Sequence, residues 1–298
     1  MTLAIAIPYS DQTANTLLRW LNSQLDSSAY DWLEKTLDQL LNDATALKLF
    51  SSFSAVSRRV GKADLALTEE DIQVANTLRV GWNPQGWSVD QAARTLLLLA
   101  YSVQDATAYV VGLEKLFSAA DVAEQVALYQ SLPLLPYPER FIERAVEGLR
   151  SNITTVFNAI ALCNPFPADY FDEAAWNQMV LKALFVESSL SQIQGLETRA
   201  NDKLAQMLAD YAHERWAAGR TVNPQLWRPL GPFATGELVS DLERVLQQGQ
   251  PFEKQAAALA CASAPSSEAK GLLLRVPELQ AQIKNGQLTW DIFSQIYA

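Results

Sequence analysis

The stretch that decides the fold is Ser88-Val-Asp-Gln-Ala-Ala-Arg-Thr-Leu-Leu-Leu-Leu-Ala-Tyr101. It opens with a capping box: a serine whose hydroxyl can accept an early backbone N–H, and a glutamine that can reach back to the serine's own N–H. An apolar run follows with no alternation of period two, so the segment is a helix rather than a half-buried strand. The run Leu96–Ala100, even when extended over Ala92–Val103 between Arg94 and Gln104, is far shorter than the ~20 apolar residues a membrane span needs.

The same grammar recurs in both directions. Thr68 can cap a helix whose first turn, Glu69-Glu-Asp71, places acids at the positive end of the helix dipole. A helix after Ser118 carries Val122, Val126 and Tyr129 up to Pro133, and Pro136 and Pro138 break the chain before another at Glu139–Leu149. Leu204, Leu208 and Tyr211, and again Leu238, Leu242, Val245 and Leu246, recur at spacings of three and four. Proline and caps cut the chain into about fifteen helix-sized segments. No sustained period-two alternation occurs, and the expected fold is all-α without a β-sheet.

Consecutive short helices with Pro-rich corners suit an irregular, HEAT-like solenoid of antiparallel helix pairs, with a compact multi-helix bundle as the alternative. Recurrence is loose, at roughly 35–45 residues, and tetratricopeptide and ankyrin wording is missing. Val222–Pro232, with Pro224, Pro229, Gly231 and Pro232, reads as a joint. The expected organisation is a main stack over 1–221 and a capping layer over 222–298, or one continuous domain over 10–298.

Of the 298 residues 49% are hydrophobic and 19% charged, a globular composition. A net charge of −10 excludes a protein that neutralises nucleic-acid phosphates over a broad face, and no basic patch favours anionic membrane. Met1-Thr-Leu-Ala-Ile-Ala-Ile-Pro8 is apolar but brief and follows no basic residue, unlike a secretory signal. Cys163 and Cys261 sit in apolar helical patterns, so no disulfide framework is expected and the cytoplasm is the expected location.

Chemistry-bearing patterns are sparse. One histidine leaves no material for a multi-histidine metal site. Gly231-Pro-Phe-Ala-Thr-Gly236 lacks the Lys-Ser/Thr ending of a phosphate loop. No metal and no cofactor is expected. Ser151, Thr154, Thr155 and Asn158 form one uncharged polar stripe, read either as interhelical hydrogen bonding or as a pocket lining. Asn177 and Lys182 interrupt the apolar helix Trp176–Phe185. The buried amide must find partners, and the lysine either snorkels outward or meets an anion. Arg215 ends the stripe of Leu204, Leu208 and Tyr211 and either pairs with a carboxylate or caps carbonyls. His213 lies one turn from Asp210 and Trp216, so Asp210 could orient its imidazole. Trp227 stands in an aromatic corner that either pins the joint or walls a ligand. Thr155, Asn158, Asn177, Lys182, His213, Arg215 and Trp227 are therefore the candidate ligand-binding residues.

Several runs carry a resemblance: Gly81-Trp-Asn-Pro-Gln-Gly-Trp87, Glu124-Gln-Val-Ala-Leu-Tyr129, Leu132-Pro-Leu-Leu-Pro136, Arg150-Ser-Asn-Ile-Thr-Thr155 and Asn164-Pro-Phe-Pro167. They continue in Ala175-Trp-Asn-Gln-Met-Val-Leu-Lys-Ala-Leu-Phe185, Arg199-Ala-Asn201, Asp210-Tyr-Ala-His-Glu-Arg-Trp-Ala-Ala-Gly-Arg220 and Leu226-Trp-Arg228. In this wording the chain resembles the EboA family from about Leu17 onward. The resemblance implies a bacterial or cyanobacterial gene-cluster protein tied to making or moving a secondary metabolite, including the scytonemin precursor. It also implies partners: a small-molecule metabolite, or cluster proteins such as a UbiA-like prenyltransferase and a TatD-like hydrolase. The family's wording assigns no reaction. The expectation is a metabolite- or partner-binding helical scaffold, or alternatively an enzyme using Lys182, His213 and Arg215.

Overall fold

The computed structural model describes residues 11–101 and 105–296, so the apolar stretch Met1–Pro8 and the end of the run at Val103 lie outside the described residues. Among these residues there are eighteen α-helices, α1–α18, with short 3-10 turns and no strand. An isolated antiparallel bridge, Asp64 with Ser88, is the extended pairing they show. The chain divides into two compact units, the first ending at Phe171 and the second beginning at Asp172.

The N-terminal unit holds α1 (Asp11–Asn22), α2 (Ser27–Asn42), α3 (Ala46–Val60), α4 (Glu69–Leu78), α5 (Val89–Ala100), α6 (Ala106–Ala119), α7 (Val122–Ser131), α8 (Ile142–Gly148), α9 (Thr154–Ala161) and α10 (Phe166–Tyr170). The N-termini expected at Thr68 and Ser88 are in place, whereas Ser118 lies inside α6 and Asp121 caps α7. Thr68 and Asp71 close a capping box on α4, and Gln91 Oε1 accepts the Ser88 N–H at 2.8 Å on α5. Every residue of α5 except Gln91 is buried. The helix can be covered on all sides because α1, α2, α3 and α7 all pack on it. Each of its four leucines contributes roughly 1.5–3 kcal/mol by leaving water. The two charges on this helix satisfy each other: Arg94 Nη1 lies 2.6 Å from Asp90 Oδ2, Arg94 Nη2 donates to Ser57 at 2.8 Å, and Nε donates to the Phe53 carbonyl at 3.3 Å. Burial pushes the Asp90 carboxyl up, but hydrogen bonds from Ser88 and Ser57 and the Arg94 guanidinium outweigh it and hold it below the usual carboxylate range.

The C-terminal unit holds α11 (Glu173–Phe185), α12 (Asp202–Ala217), α13 (Trp227–Leu230), α14 (Glu237–Gln248), α15 (Pro251–Ser263), α16 (Ser267–Leu273), α17 (Pro277–Lys284) and α18 (Trp290–Ile296). Its hub is α15, against which α13, α14, α16, α17 and α18 pack. The sequence explains why. Ala256, Ala257, Ala258, Leu259, Ala260 and Cys261 are all buried, and five of these six side chains are small enough to admit close neighbours. Burial raises the Cys261 thiol to about 12, and both cysteines are free.

Two expectations about organisation meet different geometry. In a solenoid each repeat touches only its neighbours in the chain, whereas α5 collects α1, α2, α3 and α7, and α15 collects helices on both sides of it. The Pro-rich segment Val222–Pro232 is not a loose joint. Leu226, Trp227 and Leu230 are at most 1% exposed, and α13 packs on α12 and α15. Proline and glycine there shape tight corners inside the core of the second unit. The division between units falls earlier, at Phe171–Asp172.

Candidate functional site

The C-terminal unit carries an open cleft of about 720 Å³ at the C-terminal ends of α11 and α12. Its apolar wall comes from Leu184, Phe185, Tyr211, Val222 and Phe252. Phe185 is the last residue of α11 and 60% exposed, with its ring 4.9 Å from that of Tyr211 and nearly perpendicular to it, at 77°. A phenyl ring left in water at a cleft mouth, backed edge-on by a buried tyrosine, is a ready stacking surface. Arg215 and Arg220 bring positive charge, while Glu187, Glu214 and Glu253 bring negative.

The chain after α12 builds the floor. Gly219 adopts φ +65°, a left-handed conformation that suits glycine past a helix end, and its N–H returns to the Trp216 carbonyl at 3.0 Å. Arg215 Nε donates to the Thr221 carbonyl at 2.9 Å and the Arg220 N–H to the Arg215 carbonyl at 2.8 Å. The Arg215 side chain thus ties the loop after α12 back to the helix through one carbonyl. Residues 220–222 also line a smaller hollow of about 240 Å³, together with Trp216, Trp227, Arg244 and Glu253 among others. Trp216 stacks there on the Trp227 ring at 5.9 Å, meets the His213 ring at 5.7 Å and has the Arg244 guanidinium over it at 4.2 Å.

The candidate residues fall in several places. Thr155 is exposed and Asn158 half-buried, and both lie with Thr154 on α9 in the N-terminal unit, while Ser151 lies in the loop before it. Asn177 is 1% exposed and makes a reciprocal amide pair with Asn201, donating at 3.1 Å and accepting at 2.9 Å. Asn201 in turn caps α12 through the Leu204 N–H at 2.9 Å, so the pair clamps α11 to α12. Burial pushes the Lys182 ammonium below its usual range. His213 Nε2 lies 2.7 Å from Asp241 Oδ1 on α14 rather than pairing with Asp210, which accepts from Gln206 at 2.9 Å. The partner across the helix pair is invisible to a local spacing rule. Burial raises the Asp241 carboxyl against the opposing pull of His213, and its Oδ2 has no partner among the described residues. Arg215 lines the larger cleft and Trp227 the smaller hollow, whereas Asn177, Lys182 and His213 line neither. The sequence reading did not single out Phe185, Tyr211, Arg220, Arg244 or Phe252 as site residues. A large apolar residue ending a helix was the one local signal, at Phe185.

No group of three or more His, Cys, Asp or Glu side chains able to hold a metal occurs among the described residues, and no described helix is long and apolar enough to cross a membrane. What fold and cleft define is an all-helical protein with an open, aromatic-walled hollow of small-molecule size. The chain belongs to the EboA family: the family model described as "Metabolite traffic protein EboA" matches residues 13–231. That match includes α11, α12 and the 218–224 loop, while Arg244, Phe252 and Glu253 lie beyond it. No curated protein matches the chain, and no solved structure does.

Proposed function

We propose that this protein is a metabolite-binding component of the traffic its family description names, and that the cleft of the C-terminal unit is where the metabolite sits. The observation that carries the reading is the exposed Phe185 ring, set edge-on against Tyr211 in a cleft of about 720 Å³. That volume falls within the ~300–1,000 Å³ common for small-molecule sites. The finer setting comes from the resemblance: a secondary metabolite such as a scytonemin-type precursor or a prenylated intermediate, with a UbiA-like prenyltransferase and a TatD-like hydrolase as working partners. The enzyme alternative needs Lys182, His213 and Arg215 at one place, and only Arg215 lines the cleft. This favours binding.

A neutral fluorescent aromatic, N-phenyl-1-naphthylamine, tests the reading. Its emission rises on entering an apolar site, and Phe185→Ala should weaken its binding about five- to tenfold, the loss of ~1–1.4 kcal/mol of ring contact. Because Phe185 is largely exposed, the variant should melt with the wild type. No enhancement with wild type, or equal affinity for the variant, contradicts the proposal.

A further inference from the structure

The two hollows of the C-terminal unit share Arg220, Thr221, Val222 and Glu253, so one short strip of chain forms a wall of both. Three guanidiniums surround that strip: Arg215 on the larger side, Arg244 on the smaller, and Arg220 on both. None of them makes an ion pair among the described residues. Elsewhere in the chain Arg79, Arg94, Arg144, Arg228 and Arg275 each meet a carboxylate. Arg58, Arg59 and Arg140 also make no ion pair among the described residues, and what sets these three apart is that they gather around one strip lining two hollows.

The acids divide unevenly between the hollows. Glu187, Glu214 and Glu253 all line the larger cleft, so its charge is mixed and its aromatic wall dominates. The smaller hollow has Arg220 and Arg244 against Glu253 alone. Glu253 is engaged in a capping box, where Oε2 accepts the Gln250 N–H at 2.6 Å. Arg244 is also held in place. Its guanidinium lies over the ring of Trp216, which also meets the rings of Trp227 and His213, so part of its rotamer freedom is already lost before any ligand arrives. A planar, pre-positioned guanidinium beside a second one is suited to a carboxylate or a phosphate.

Resting on the binding role proposed above, we infer that the ligand is an organic anion spanning both hollows, its apolar body against Phe185 and Tyr211 and its anionic group in the hollow of Arg220 and Arg244. The sequence could not show this, because Arg220 and Arg244 are separated by the 3-10 and α13 corner and meet only through the fold.

Displacement of bound N-phenyl-1-naphthylamine separates this inference from the binding role. Three competitors share one ring system: neutral 1-naphthylmethanol, 1-naphthaleneacetate and 1-naphthyl phosphate. Both anions should displace the reporter at least about tenfold more tightly than the alcohol, and their order decides between a carboxylate and a phosphate as the native group. Arg220→Gln with Arg244→Gln should erase the anions' advantage over the alcohol, with each competitor's affinity read against the variant's own affinity for the reporter. Arg275→Gln, which alters a cation paired with Glu243 on α14, should change nothing. If the double variant folds poorly, wild type in high salt gives the same reading, since screening should shrink the anions' advantage and spare the alcohol. Equal displacement by all three competitors, or an advantage that survives the double variant, overturns the inference and leaves the cleft as a neutral site. A reporter that does not bind at all overturns the binding role with it.

Discussion

The Asn177–Asn201 amide pair makes the sharpest stability prediction, because the two halves are not equivalent. Asn177→Ala removes two amide hydrogen bonds, each worth ~0.5–1.5 kcal/mol net. It orphans nothing, since Asn201 still accepts from the Leu204 N–H and donates to the Arg199 carbonyl at 3.2 Å. The expected cost is about 1–3 kcal/mol. Asn201→Ala removes the same two bonds, loses a helix cap worth ~1 kcal/mol, and strands a 1%-exposed amide at ~1–3 kcal/mol. The expected total is about 3–7 kcal/mol. Replacing both partners, Asn177→Leu with Asn201→Ala, takes away the stranded amide, so the double variant should be more stable than Asn201→Ala alone. Urea titrations followed by far-ultraviolet circular dichroism measure all three. If Asn177→Ala costs more than Asn201→Ala, or the double variant is the least stable, the clamp is not what holds these residues. If Asn177→Ala leaves stability intact and weakens ligand binding, it is a site residue instead.

Other substitutions probe the rest of the structure. Arg94→Met leaves the buried Asp90 carboxylate without its counterion and should cost about 3–5 kcal/mol in a melting experiment at neutral pH. Asp90 is held below the usual carboxylate range, so its stabilisation is present above its unfolded value of ~3.9 and is lost as pH falls through the lower folded value. The stability gap between wild type and Asp90→Asn should therefore be flat from neutral to mildly acidic pH and close below about pH 4. Asp241 has the opposite sign: its carboxyl is raised, so it favours the folded state at low pH and opposes it as pH rises through the folded value. Asp241→Asn should thus lose least relative to wild type at neutral pH and most in acid, as paired thermal melts would show. A methyl at Gly231 would stand 2.8 Å from Ala260 Cα and its carbonyl oxygen, so Gly231→Ala should destabilise by ~1–3 kcal/mol through overpacking against α15. A neutral result would make the Val222–Pro232 corner the loose joint its composition suggests.

The helices were legible because caps are local. Thr68 with Asp71 and Ser88 with Gln91 carry their helix starts within four residues, and the structure places α4 and α5 where those words predict. The burial of Asn177 was also legible, since its neighbours are apolar at helical spacing. Partners across helices were not. Asp210 and His213 have the spacing of a pair on one helix, yet the imidazole turns to Asp241, which is 28 residues away. The Val222–Pro232 segment misled for a related reason. Proline and glycine mark where helices break, but not whether the broken chain faces water or the Ala-rich face of α15. The neutral stripe of α9 also differs from expectation at its start, where Thr154 and Thr155 are exposed. The cleft was the least legible feature, because Phe185, Tyr211, Arg220 and Phe252 come from four segments that only tertiary packing brings together.

The central claim is that the C-terminal unit binds a small organic ligand in its own cleft. A crystal structure of the protein grown with 1-naphthyl phosphate tests it most directly. The account predicts the naphthyl ring against Phe185 and Tyr211, with the phosphate at Arg220 and Arg244. Density for the ligand against Thr155 and Asn158 on α9, or an empty cleft at saturating ligand, would contradict it.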